Sequence, residues 1–218
     1  MKRGRAPAGA AFDPDCRRCP RLARFLDNVG AGHPDYHCRP VASFGRSRHR
    51  LLVVGLAPGL HGANRTGRPF TGDHAGLLLY RTLHAHGFAS RAVSVSADDG
   101  LRLVNCRITN AVKCLPPGNK PLPAEVRQCN RYLEREISCL KPGSVVVALG
   151  AIAHGAVLRA CGLRPAAGRF AHGAQHRLPG PLLLLDSFHC SRLNTNTGRL
   201  TPAMFDRIFT RARHLIGG

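Results

Sequence analysis

Residues 51–73 read LLVVGLAPGLHGANRTGRPFTGD, an unbroken apolar run followed by a long segment rich in glycine, arginine and asparagine that ends on Asp73. The run Leu51 to Leu56 shows no polar alternation that would give it a wet face, so it reads as a strand buried on both sides. A helical pattern then extends from about Asp73 to His86, with Asp73 where an N-cap belongs. Three further apolar runs repeat the theme, at Leu103 to Val112, Ser144 to Leu149 and Leu182 to Leu185. A helix from Pro123 to Leu140 places Val126, Cys129, Leu133, Ile137 and Leu140 on one stripe, and another runs from about Ala151 to Cys161. The last helix starts at Pro202 with Thr201 as N-cap and buries Phe205, Ile208, Phe209 and Leu215. This alternation predicts an α/β fold, a three-layer α/β/α sandwich with a central, mainly parallel four-stranded sheet.

In open parallel sheets, ligands bind beyond the carboxyl ends of the strands. The loops expected there are Gly55 to Asp73, Thr109 to Cys114 and Asp186 to Arg199. Their Gly, Asn, Thr, His and Arg content offers hydrogen-bond donors and close backbone approach, which suits a phosphate-bearing ligand. The first loop has neither the Gly-x-x-x-x-Gly-Lys-Ser/Thr nor the Gly-x-Gly-x-x-Gly pattern, which weakens a nucleotide triphosphate or dinucleotide reading.

The 218 residues suffice for one well-cored domain, here residues 12–218, after a basic tail over residues 1–11 that carries Lys2, Arg3 and Arg5. Lys and Arg total 32 against 12 acids, a formal charge of +20, which points to a polyanionic partner. Nucleic acid comes first. An anionic membrane comes second and weakens, because no apolar stretch approaches the roughly 20 residues of a spanning helix. The tail lacks the apolar core of a secretory signal, so a cytoplasmic monomer is expected.

Among nine cysteines, Cys16-x-x-Cys19 has metal-knuckle spacing, and Cys114 with Cys129 would complete four thiolates. Zinc and an iron–sulfur cluster fit the spacing equally, and Cys129 also reads as a core residue on its helix. Cys38, Cys106, Cys139, Cys161 and Cys190 read as buried thiols. The three glutamates, Glu125, Glu134 and Glu136, share one helix and read as its solvated face, which leaves Asp73 and Asp186 as acids at the loop edge. Asp73 reads equally as a cap or a catalytic group, Asp186 as a loop-ordering residue, Phe70 as core or as a base-stacking platform. His189 stands out among twelve histidines only by its place in the third loop.

The segments Gly55-Leu56-Ala57-Pro58-Gly59, Asn64 to Asp73, Asn110-Ala111-Val112-Lys113-Cys114, and His189-Cys190-Ser191-Arg192 to Thr197-Gly198-Arg199-Leu200-Thr201 resemble, in order, the motifs of the type B, or family 5, uracil-DNA glycosylases of bacteria and archaea. With the cysteines, the resemblance spans residues 16–201. The related family 4 carries an acid after the first glycine of the first motif; this chain has Leu56 there. Cys190 stands where the family usually has proline, and Leu77 where an acid is often found.

The resemblance implies hydrolytic release of uracil, and of hypoxanthine or other damaged bases, from DNA. It implies a structural [4Fe–4S] cluster on Cys16, Cys19, Cys114 and Cys129, with zinc as the minor alternative. Asp73 is then expected to position water or stabilise the sugar cation, His189 to donate to the departing base, and Asn110 to hydrogen-bond the base edge. Phe70 is expected to stack on the flipped base beside the Gly55 to Gly59 segment. Lys113, Ser191, Arg192, Asn194, Thr197, Gly198 and Arg199 are expected to contact the DNA. A nucleic-acid-binding protein that keeps a structural metal cluster but has lost catalysis is the competing expectation, and a redox protein a more distant one.

Overall fold

The computed structural model describes residues 9–217, so most of the expected basic tail, residues 1–8 with Lys2, Arg3 and Arg5, lies outside the described residues. The chain order is α1 (Pro20–Gly32), β1 (Leu51–Gly55), α2 (Ala63–Thr66), α3 (His74–Ala85), β2 (Cys106–Asn110), α4 (Pro123–Ser138), β3 (Val145–Leu149), α5 (Ala151–Ala160), β4 (Gln175–Leu178), β5 (Leu182–Ser187), α6 (Arg192–Asn196) and α7 (Pro202–Gly217).

The sheet has five strands in the order β2-β1-β3-β5-β4. Four are the expected parallel strands; the fifth, β4, pairs antiparallel with β5 at the edge. Its sequence, Gln175-His176-Arg177-Leu178, has no apolar run because an edge strand needs to bury only part of itself. The second strand is shorter than its apolar run. Asn105 turns into the left-handed region at φ 51°, and its carbonyl accepts from the Arg50 and Leu51 amides, so pairing with β1 begins only at Cys106. Helix α4 stops at Ser138 rather than Leu140, because Pro142 biases the residue before it away from helical geometry.

Successive residues on a buried strand face opposite sides, and the two sides pack differently. Leu51, Val53, Val145 and Val147 join α3 and α7, whereas Leu52, Val54, Val146 and Leu184 join α4 and α5. A third, smaller core lies off the sheet, where Leu22 and Leu26 of α1 meet Val112, Leu115, Cys129 and Tyr132. Cys129 therefore turns away from the sheet layer that its helical stripe predicted. Among the described residues, no helix is long and apolar enough to cross a membrane.

Candidate active site

Four expected site residues meet at the carboxyl edge of the sheet. Phe70, Asp73, Asn110 and His189 line one narrow cleft, together with Ala57, Gly59, Ala63 and Ala75. Asp73 caps α3: its Oδ1 accepts the Gly76 amide at 3.0 Å. Its Oδ2 faces the backbone of Gly59 and Gly62, and a Cβ on Gly62 would fall 2.8 Å from Asp73 Cγ, so only glycine lets that loop pass so close. Burial raises the Asp73 carboxyl above the usual carboxylate range, and the Gly76 and Ala75 amides and His74 only partly offset this.

Phe70 is held in the left-handed region at φ 56°, an uncommon conformation for an aromatic residue. Its neighbours fix it there: the Tyr80 hydroxyl donates to the Pro69 carbonyl at 2.8 Å, and Thr66 Oγ1 donates to the Thr71 carbonyl at 3.1 Å. The buried Arg68 guanidinium anchors the same loop to Asp99 at 2.7 Å and to Ser94 at 2.9 Å. The Phe70 ring stacks on His189, with centroids 5.8 Å apart and planes at 25°. Two stacking contacts in series need about 7 Å, so a planar base enters beside this pair rather than between its members. Burial pushes the His189 imidazole down to about 4, which keeps it neutral and able to donate one N–H.

Asn110 ends β2 directly beneath the cleft. A Cβ on Gly55, its partner in register, would lie 2.5 Å from Phe70 Cζ, so this glycine creates the space in which Phe70 and Asn110 meet. Asn110 is buried and its Oδ1 has no hydrogen-bond partner. A buried acceptor without a partner costs free energy unless a ligand satisfies it, and among the several such atoms of the described residues this is the one that lines the cleft. Ala57 and Gly59 line the cleft and Gly55 supports it, while Pro58 is buried and the Leu56 carbonyl accepts the Val112 amide.

The third loop forms α6 and divides its labour. Ser191 Oγ accepts the Asn194 amide as an N-cap, and Asn194 Nδ2 donates to the His189 carbonyl at 2.7 Å, so these two side chains shape the loop. Arg192, Thr197, Gly198 and Arg199 are exposed, with the Arg199 guanidinium 4.6 Å over the Phe188 ring. Leu193, at 72% exposure, is the most exposed large apolar side chain of the described residues and lies in the same short helix. His74 Nε2 and Thr195 Oγ1, 3.0 Å apart, bridge the α3 end to α6 across the cleft margin.

Several expectations are corrected. Lys113 is only 1% exposed, and its ammonium contacts Glu136 at 3.0 Å, Ser43 at 3.1 Å and Thr109, so it cannot reach a phosphate. Glu125 and Glu136 are not a solvated face: Glu125 is buried against Arg21 at 2.7 Å, and Glu136 is the partner of Lys113. Cys139 is exposed rather than buried. Asp186 is fully buried and points into the α5 layer, away from the cleft, with His154 Nδ1 and His176 Nε2 each 2.9 Å from one of its oxygens.

Cys16, Cys19, Cys114 and Cys129 line a separate small cavity against Leu22, Val112 and Tyr132. The Lys113 amide lies 3.2 Å from Cys129 Sγ and donates to it. Burial raises the Cys114 and Cys19 thiols and pushes Cys129 up to about 11, with the neighbouring cysteines adding to each shift, a penalty that a bound cation reverses.

The sequence profile described as Uracil DNA glycosylase superfamily matches residues 42–213. A protein of Thermus thermophilus named type-5 uracil-DNA glycosylase is 49% identical over 93% of this chain and 94% of its own length. One of the same name from Pyrobaculum aerophilum is 42% identical over 91% and 88%. A type-4 uracil-DNA glycosylase of Thermotoga maritima is 37% identical over 63% of this chain and 58% of its own. The chain belongs to the uracil DNA glycosylase superfamily.

Proposed function

We propose that the chain is a type-5 (type B) uracil-DNA glycosylase, a hydrolase that extrudes uracil from DNA and cleaves its N-glycosidic bond to leave an abasic site. The observation that carries this reading is the convergence of an unpartnered Asn110 acceptor, a half-free Asp73 carboxylate and a neutral His189 in one cleft at the carboxyl edge of the sheet. The long matches to relatives named type-5 support it over type-4, whose matches are shorter and weaker.

A base inside a duplex is out of reach, so it must leave the stack, most readily at a mispair. Arg192 and Arg199 attract the flanking phosphates, and Leu193 on the outward face of α6 fills the vacated stack. The Asn110 carboxamide pairs with the base edge. As the bond from the sugar to the base stretches, its electron pair moves onto the base and positive charge grows on the sugar. His189 donates its hydrogen toward the base oxygen that gains charge, which needs no protonated histidine. Asp73 Oδ2 offsets the sugar charge, orients the water whose oxygen bonds to the sugar carbon, and takes the proton that this water loses.

We further infer that Cys16, Cys19, Cys114 and Cys129 hold a [4Fe–4S] cluster whose contribution is structural. Four thiols drawn from separate segments of the chain into one buried cavity support this reading. Visible absorbance with matching iron and sulfide content is the expected finding, and a colourless protein with one zinc per chain would exclude it.

The activity is tested by single-turnover incubation with oligonucleotides bearing one uracil, in single strands and opposite guanine or adenine, followed by alkaline cleavage. Strand scission at the uracil is expected. DNA binding without base release at any enzyme concentration would favour the non-catalytic reading.

A further inference from the structure

On the far side of the sheet from the cleft, three elements bring together a group that the glycosylase reading does not use. His154 on α5, His176 on β4 and Asp186 on β5 place two ring nitrogens and a carboxylate oxygen within 4.8 Å of one another. His154 Nδ1 lies 2.9 Å from Asp186 Oδ1, and His176 Nε2 lies 2.9 Å from Oδ2. The second His154 nitrogen, Nε2, lies 3.0 Å from the Gly168 carbonyl oxygen.

The hydrogen-bond inventory makes this arrangement unusual. A carbonyl only accepts, so His154 Nε2 carries a hydrogen, and in a neutral imidazole that leaves Nδ1 as a bare lone pair. It points at a carboxylate, which in its charged form also only accepts. Two acceptors 2.9 Å apart require a cation between them, either a proton or a metal ion. His176 brings a second imidazole to the same carboxylate. Two imidazoles and a carboxylate are the donor set of borderline divalent transition ions. The bond from His154 Nε2 to a backbone carbonyl is the outer contact that fixes the tautomer of a metal-bound histidine. The site is closed on two sides and open on one, with side chains 5% exposed at His154, 0% at Asp186 and 14% at His176.

We propose that His154, His176 and Asp186 form a binding site for a divalent transition ion of the zinc class, distinct from the cysteine cavity. The ion replaces the bridging proton: one M2+ enters, one proton leaves His154 Nδ1, and the His176 hydrogen moves from Nε2 to Nδ1. Occupancy clips α5, β4 and β5 together just below the strand end that leads to His189.

The test titrates the purified holoprotein with Zn2+ and follows bound zinc, proton release and melting temperature. The wild type is expected to take one zinc more than His176→Ala, to release about one proton on doing so, and to melt at higher temperature with zinc. His176→Ala should weaken this binding by more than the roughly 10–100-fold that loss of an outer partner costs. Asp186→Asn, which keeps the shape of the side chain, is the second variant and should lose the same equivalent. Iron and sulfide content measured alongside shows that the cysteine cavity is untouched. Equal zinc uptake in the wild type and both folded variants, or zinc uptake without proton release, would overturn the proposal and leave a proton as the bridging cation.

Discussion

Asp73 and Asp186 both lie near the carboxyl end of the sheet, Asp73 closing the first loop and Asp186 one residue before the end of β5, yet the fold uses them in opposite ways. Asp73 has one oxygen on a backbone amide and the other turned to the cleft; Asp186 has a histidine on each oxygen and no exposure. Strand parity separates them. Leu182, Leu184 and Asp186 share one face of β5, and that face belongs to the α5 layer. The cleft, by contrast, holds one buried acceptor without a partner, Asn110 Oδ1. The two acids differ in access: one oxygen of Asp73 is left to a ligand, and neither of Asp186 is.

The comparison is broken most directly by exchanging each acid for its amide. Asp73→Asn should lower single-turnover uracil release by about 10²–10⁴-fold with fold and DNA affinity retained, since asparagine caps α3 almost as well. Asp186→Asn should release uracil at a near wild-type rate while folded, and lose about 1–3 kcal/mol of stability in denaturant because its histidine partners are left mismatched. Equal inactivation of both would abolish the distinction. Next in size, His189→Ala should slow uracil release by about 10²–10³-fold, as loss of a donor to a developing anion does, with a weaker effect on bases that depart more easily.

A smaller effect is expected at Leu193. Leu193→Ala should slow release from a uracil–adenine pair by about tenfold and from single strands hardly at all, because only the paired base must be unstacked. The smallest expected change is with pH. With His189 held at about 4, its deprotonation is complete well below neutrality, so single-turnover rates should stay flat between roughly pH 6 and 8. The acid limb should lie above the ordinary aspartate value, because Asp73 is raised by burial. A limb near 6.5 that vanishes in His189→Ala would show that the imidazole titrates as an exposed one.

Much of this was legible in the residues themselves. The four apolar runs located all four parallel strands, and the loops that follow them supplied Phe70, Asp73, Asn110 and His189 to one cleft. What escaped was tertiary. Lys113 looks like a phosphate contact because charge in a loop reads as exposure, and only the fold brings Glu136, 23 positions away, against it. Glu125 and Arg21 are 104 positions apart, and no periodicity links them. The edge strand β4 has a polar face, and α1, marked by Pro20 at its first turn and by the Leu22 and Leu26 spacing, begins directly after the cysteine knuckle, whose metal-ligand spacing is the louder signal. His154 and His176 carried no motif at all.

The small core under α1 has a consequence for how the molecule assembles. Leu22 and Leu26 share their core with Val112, Leu115 and, on α4, Tyr132, so completing it closes a long loop and waits for α4. During synthesis α1 therefore waits for residues through Tyr132 to emerge, and the same contact, once made, walls the cysteine cavity with Leu22 and Ala23.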